Sequence, residues 1–342
     1  MRLLFVGFGT VGQGLAELLL EKKEYLSKKY GLKPVVVGIA DELKGSALNP
    51  KGLNLREALD LVQAETLLCE MKESRYDGDA LSMIKNSEAD VMLEATYTNI
   101  KTAEPATSHI DAALSKGMNV VTTNKGPLAL KYKELDRIAK AMKVQLLFEG
   151  TVMSGTPLIN LIRETLAGSA IQEIKGILNG TTNYILTRME EGLPYQEALK
   201  KAQDLGYAEA VPDADVLGWD ALAKVTILAN VFFGASTKPF DYPCEGITGI
   251  TAASIVDAKS RGKRFKLIGK VWRERGYVKA SVGPEEVDHT HPLAGVMGAT
   301  NAVTIVTDTL GEVTIVGPGA GKRETGFSML NDLIHIAVNR NR

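Results

Sequence analysis

Cysteine is nearly absent. Cys69 and Cys244 are the only two in 342 residues, too few for a disulfide framework, and the expected setting is the cytoplasm. An excess of charge of either sign is missing as well. Forty Lys and Arg stand against 41 Asp and Glu, a formal net charge of −1. That leaves no basic stripe for nucleic acid and no polybasic patch for a membrane surface. Long apolar runs are lacking too, every one being interrupted well short of a membrane span. Met1 leads directly into the strand-like RLLFVGFG, which leaves no stretch that reads as a signal or transit peptide. No internal repeat, low-complexity tract or long linker is visible. The length exceeds one typical domain and predicts two.

What is present begins with a glycine loop. An apolar strand, Leu3 to Val6, runs into GFGTVG and then a helical pattern from Val11 to about Tyr30. Gly7, Gly9 and Gly12 have the G-x-G-x-x-G spacing of a dinucleotide site. The first allows the tight turn, the second admits a pyrophosphate close to the backbone, and the third lets helix pack on strand. The helix start then offers amides and a positive dipole end to phosphate. A second strand, PVVVGIAD, ends at Asp41, where an acid takes the adenosine ribose hydroxyls. Strands follow at 90–96, at MNVVTT and at VQLLFEGT, alternating with helices around 106–116 and 128–143. This alternation predicts a doubly wound parallel sheet of Rossmann type over residues 1–148. In such sheets ligands sit beyond the carboxyl ends of strands, where Thr96, Thr123, Asn124 and Lys125 fall.

From Glu149 the pattern changes to mixed helices and strands. It predicts an α+β catalytic and dimerisation domain over 149–322, with a C-terminal helix over 323–342 packing back on the first domain. The most telling stretch is AQDLGYAEAVPDADVLGWDALAK, Ala202 to Lys224. The residues from Val216 to Phe233 read as an almost wholly apolar helix whose ionisable side chains are Asp220 and Lys224. Four apart, these two share one face. On an amphipathic surface helix such a pair would be a solvated ion pair of little consequence. This helix has no polar stripe to expose, so the pair is expected to be buried or to line a polar cleft. Glu209, Asp213 and Asp215 crowd the approach. A lysine oriented by one carboxylate, with others nearby, suits proton donation beside a substrate that carries an ammonium group.

Three other signals carry less. GPGAGKR from Gly317 has Val316 where a phosphate loop has its first glycine, and Arg323 in place of the magnesium-binding Ser or Thr. His289 and His291 have no second cluster to complete a zinc site. Neither cysteine sits at a strand-to-helix turn with a histidine partner, so both read as inert thiols.

Taken together the motifs resemble those of homoserine dehydrogenases over nearly the full length. The matching stretches, in order, are GFGTVG, VVTTNKGPLA, EGTVMSGTP, GILNGTTNYIL, the acidic segment, CEGITGI, GATNAV and GPGAG. Val211 departs from the family, which has Asp or Asn before Pro212. The resemblance implies reversible reduction of L-aspartate 4-semialdehyde to L-homoserine by NADPH or NADH. It implies Lys224 as proton donor, Lys125 near the reacting oxygen and Asp220 beside them. Glu209, Asp215 and Asp220 would hold substrate, with the backbone near Gly180 and Thr181 for its carboxylate. The cofactor set would comprise Gly7, Phe8, Gly9, Thr10, Val11, Gly12, Asp41, Thr96, Thr123, Lys125 and Gly319. A structural sodium ion would sit at Glu149, Val152, Ser154 and Thr156, mainly on backbone carbonyls. The family is typically homodimeric. No regulatory ACT-type module and no fused kinase are read in this chain, so millimolar threonine is expected not to inhibit strongly.

Two rival readings are a phosphorylating semialdehyde dehydrogenase, which needs an activated cysteine, and a non-catalytic dinucleotide-binding sensor. The sensor would have no use for a charged pair inside an apolar helix.

Overall fold

The computed structural model describes residues 1–340 other than Glu73 and Arg75; the last two residues of the helix expected over 323–342 lie outside them. The chain forms two compact units, one from Met1–Gly155 with Gly321–Arg342, the other from Thr156–Ala320. The first division thus falls after Gly155 rather than after Phe148.

The first unit alternates strand and helix. β1 (Arg2–Val6) leads to α1 (Thr10–Glu21) and α2 (Lys23–Tyr30), then β2 (Val35–Asp41), β3 (Gly45–Leu48), α3 (Leu55–Gln63) and α4 (Ala80–Asn86). β4 (Val91–Glu94), α5 (Ala106–Ser115), β5 (Asn119–Thr122), α6 (Lys125–Met142) and β6 (Leu146–Leu147) complete the series. The sheet order is β3-β2-β1-β4-β5-β6, parallel throughout except where β3 pairs antiparallel with β2. The expected doubly wound sheet is therefore present, with an antiparallel edge strand that the sequence reading did not include. α12 (Lys322–Arg340) packs on α1 in the same unit.

The single long helix expected from Val11 to Tyr30 is in fact two. It breaks at Lys22, whose amide donates to the Leu18 carbonyl at 2.9 Å. The break lets Leu26, the buried residue of the lysine-rich α2, join the core built on Leu15, Leu18 and Leu19. Phe5 and Phe8 anchor that core edge to face, with ring centroids 5.5 Å apart; this geometry adds to their burial.

The second unit contains β7 (Ile171–Ile177), α7 (Gly180–Glu190), α8 (Tyr195–Asp204), α9 (Asp213–Val216), α10 (Trp219–Phe232) and α11 (Ala252–Ser260). β8 (Lys263–Glu274), β9 (Tyr277–Asp288), β10 (Thr300–Thr307) and β11 (Gly311–Pro318) follow. Its sheet is antiparallel in the order β11-β10-β7-β8-β9, and α7, α10 and α11 pack against it. The apolar helix expected from Val216 begins instead at Trp219. Gly218 takes φ 82° and turns the short α9 into α10, a left-handed step that costs glycine nothing. Thr181, Thr182 and Asn183 lie in the opening turn of α7. Among the described residues no helix is long and apolar enough to cross a membrane.

Candidate functional site

In the first unit the expected cofactor residues other than Gly319, which belongs to the second, gather at the carboxyl ends of parallel strands. Gly7 holds φ +91°, and a Cβ there would lie 2.4 Å from the Ala95 carbonyl oxygen. A Cβ on Gly12 would meet the Gly7 oxygen at 2.7 Å, so helix and strand touch there. Gly9 differs, since a Cβ would meet nothing within 4 Å. The loop is thus closed by two of its glycines and open at the third, on the side a pyrophosphate would approach. Thr10 begins α1 exposed and Val11 is half-buried behind it. Phe8 lies between the first two glycines. Its ring is in the core, and its amide donates to Asp41 Oδ2 at 2.7 Å. Asp41 Oδ1 accepts from the Leu43 and Lys44 amides at 3.0 and 2.9 Å, which fixes the carboxylate at the end of β2.

Thr96 follows β4, and Thr123 and Lys125 follow β5. Asn124 caps α6 by accepting from the Gly126 amide at 3.2 Å, which places Lys125 at the first helical position. Gly150 packs against Thr123, where a Cβ would come within 2.6 Å of its methyl carbon. These residues fit a dinucleotide: an open glycine turn, a helix start and an acid fixed at the end of β2 share the carboxyl edge of the sheet.

The second unit holds the charged pair. Lys224 is 7% exposed, and its Nζ donates to Asp220 Oδ2 at 2.7 Å and to the Leu178 carbonyl at 2.5 Å. An ammonium has three N–H bonds, so one remains to be offered elsewhere. Asn179, which sequence reasoning passed over, ties the acidic residues together. Its Nδ2 donates to Asp215 Oδ1 at 2.6 Å and to Asp220 Oδ2 at 3.0 Å. Its Oδ1 accepts from the Thr182 amide at 2.9 Å, capping α7. One carboxamide therefore sets two carboxylates and a helix start in register. Burial pushes the Asp215 carboxyl up, the Asp220 charge adds to this, and the Asn179 donor pulls it back. The signal for Asn179 was its place before GTTN, where Asn is a favoured N-cap.

Gly180 and Thr181 open α7, where the first amides have no partner inside the helix. The Thr181 hydroxyl donates to the Tyr207 carbonyl at 2.5 Å, joining this helix start to the acidic segment. Glu209 is not drawn into the cluster: it lies exposed between α8 and α9, and its backbone oxygen accepts from Gln203 at 3.1 Å. Gly319 packs flat against the fully buried Asn301, since a Cβ there would fall 2.1 Å from the Asn301 Cγ.

One family model, described as homoserine dehydrogenase, matches residues 157–334, and another, described as the homoserine dehydrogenase NAD-binding domain, matches 7–149. The chain belongs to the homoserine dehydrogenase family. The NAD(+)-dependent homoserine dehydrogenase of Pseudomonas canavaninivorans is 44% identical to it, over 98% of this chain and 96% of that one. A crystal structure from Archaeoglobus fulgidus, itself a candidate homoserine dehydrogenase, has a TM-score of 0.88 at 39% identity and covers 98% of this chain and 99% of that one. A hyperthermophilic archaeal homoserine dehydrogenase in complex with NADPH has a TM-score of 0.84 at 32% identity, covering 99% and 98%. Like its family, this chain is an NAD(P)-dependent oxidoreductase that acts on a small molecule.

The second unit also holds a buried cation that the sequence did not single out. Lys266, on β8, is 1% exposed and donates to Asn183 Oδ1 at 2.9 Å and the Val296 carbonyl at 2.5 Å. Burial brings this ammonium down to about 8, against a smaller opposing pull from Glu190. The bonds fasten α7 to the turn before β10.

Proposed function

We propose that the chain interconverts L-aspartate 4-semialdehyde and L-homoserine, with Lys224 as the proton donor. The observation that carries this reading is the Lys224 ammonium, buried and held by Asp220 and the Leu178 carbonyl with one N–H unspent. When bound, the nicotinamide supplies the hydride. The protein's task is the oxygen, which gains negative charge as the aldehyde carbon is reduced. Lys224 Nζ donates its free proton there. Asp215, with Asp220, takes the substrate ammonium, and Glu209 joins from the exposed segment. The amides opening α7 at Gly180 and Thr181 suit the substrate carboxylate. Oxidation of NADH or NADPH on adding L-aspartate 4-semialdehyde, without phosphate, tests the assignment. Turnover that requires phosphate or coenzyme A would favour the phosphorylating alternative.

Asn179 gives this reading a pH signature. Asp215 must be ionised to hold an ammonium, and the Asn179 donor lowers its proton affinity. Asn179→Ala should therefore move the acid limb of kcat/KM to higher pH and raise the KM for homoserine about tenfold, the cost of roughly one charge-assisted hydrogen bond. An unmoved limb would remove Asp215 from the ammonium site.

Cofactor choice follows from Asp41. Its carboxylate suits a ribose diol and repels a 2′-phosphate, with Glu42 adding to the repulsion, while Lys44 stands 3.9 Å from Asp41 Oδ1 and can offset it, as can Ser46 and Lys51 nearby. Both NADH and NADPH should support turnover. The ratio of catalytic efficiencies should stay below about a thousandfold, or about 4 kcal/mol, and a larger ratio would sink this expectation.

A sodium ion at Glu149, Val152, Ser154 and Thr156 fits the donor chemistry, all oxygen. The Ser154 hydroxyl is shared with Thr325 at 2.5 Å and the Thr156 hydroxyl donates to the Pro318 carbonyl at 3.0 Å, so backbone carbonyls would have to do most of the binding. Equal melting temperatures in sodium and choline chloride would argue against it. A cytoplasmic homodimer is the assembly proposed, supported by exposed apolar side chains on both edge strands of the second sheet, Val316 on β11 and Tyr277 on β9. Light scattering after size exclusion reads it directly.

A further inference from the structure

Glu94 ends β4 and is fully buried, yet no role described above uses it. A buried carboxylate requires partners, because an isolated charge in the interior is far costlier than a lost hydrogen bond. Its partners are donors. Oε1 accepts from the Thr96 amide at 3.0 Å and from the Thr96 hydroxyl at 2.5 Å, and Oε2 accepts from the Thr122 hydroxyl at 2.6 Å. Thr122 Oγ1 in turn accepts from the Asn124 amide at 3.0 Å, which leaves its own proton for Glu94. The Asn124 carboxamide nitrogen donates to the Thr96 and Tyr97 carbonyls at 3.3 and 3.0 Å. The Thr96 amide can only donate, and both threonine hydroxyls can turn their protons toward the carboxylate, so these surroundings suit an anion. Burial raises its affinity for a proton, and the Thr122 and Thr96 donors oppose that rise.

Its position in the sheet gives the charge a use. Glu94 pairs with Val6 across β1 and β4. Between these strands the order reverses, with β2 and β3 on one side and β5 and β6 on the other. That is the switch point of a doubly wound sheet, where a dinucleotide crosses. Asp41 ends β2 and the glycine loop follows β1, so the ribose and pyrophosphate of the adenosine half belong on that side. The nicotinamide half then belongs to the β4 and β5 side, with Lys125 as a nearby cation.

From this placement we infer that Glu94 is a positioning residue whose buried charge favours the oxidised, cationic nicotinamide ring over the reduced, neutral one. It holds Thr96 and, through Thr122, the Asn124 turn in place. The inference rests on the cofactor reading above and adds a redox preference that binding alone does not require. Because the carboxylate is buried it acts through space, where screening is weak and the effect outlasts direct contact.

Dissociation constants for NAD+ and NADH, measured by fluorescence on wild type and Glu94→Gln, decide the matter. The amide keeps the shape and removes the charge. NAD+ should weaken about tenfold relative to NADH. A purely structural role would weaken both in the same proportion, and that result overturns the inference. Should the variant fail to fold, wild type alone gives the answer. It should bind NAD+ more tightly than an isosteric dinucleotide with a neutral benzamide ring, and equal or weaker binding of NAD+ overturns the inference. Wild type that binds neither NAD+ nor NADH would overturn the cofactor reading along with it. Wild type that binds both while Glu94→Gln leaves their ratio unchanged overturns only the assignment to Glu94.

Discussion

Lys224→Ala should lower turnover by roughly two to four orders of magnitude, the range associated with a positioned general acid. The geometry makes this more specific than a generic loss of charge. Lys224 spends two of its N–H bonds on Asp220 and the Leu178 carbonyl, so its orientation is fixed before any substrate arrives. Cofactor affinity should survive, because the glycine loop and Asp41 belong to the other unit. Lys224→Arg should not rescue the rate, since a guanidinium does not release its proton at workable pH. Removing the lysine also leaves Asp220 part-buried without its cation, although Asn179 still donates to it at 3.0 Å. A melting curve must therefore accompany the kinetics. Stopped-flow hydride transfer by folded Lys224→Ala is the decisive measurement. A near-normal rate would reduce Lys224 to a structural ion-pair partner.

Much of this site was legible in the sequence because its signals are local. Asp220 and Lys224 are four residues apart on an apolar helix, and helical periodicity alone brings them together. The glycine spacing and Asp41 are likewise read along a short stretch of chain. What stayed hidden depends on partners distant in sequence. Asn179 reaches Asp215 and Asp220 only because β7 delivers it to the start of α7 beside α10. Glu94 was read as an ordinary strand residue in DVMLEAT, and its donors include Thr122 on the next strand. β8 is hard to read from sequence for a different reason. KRFKLIGKVWRE carries charge at several positions and buries four consecutive residues, Lys266 among them, so it lacks the alternation that marks a half-buried strand. The helix start misplaced at Val216 reflects a glycine inside an otherwise continuous apolar pattern, where only its positive φ reveals the break.

Gly9→Val should weaken NADH binding at least a hundredfold, about 2.7 kcal/mol, while leaving the fold intact. The three glycines of one motif are held by different constraints. Gly7 needs its left-handed φ of +91° and has a carbonyl oxygen 2.4 Å from where a Cβ would stand. Gly12 is pressed against the Gly7 carbonyl. Substituting either strains the protein itself, with a left-handed non-glycine residue alone costing about 1–2 kcal/mol. Gly9 carries neither burden. It caps α1 with φ −74° and ψ −157°, extended backbone that valine accepts, and a Cβ there enters open space. The glycine is therefore not explained by folding. We assign its use to the space beside it, where a pyrophosphate would meet the helix-start amides and where two methyl groups would stand in the way. Titrating NADH into Gly9→Val, with thermal melting beside it, separates the two roles. A melting temperature close to wild type with binding lost would assign the open side of the loop to the phosphates. Binding within about threefold of wild type, a difference of about 0.6 kcal/mol, would mean that the dinucleotide approaches this sheet by some other route.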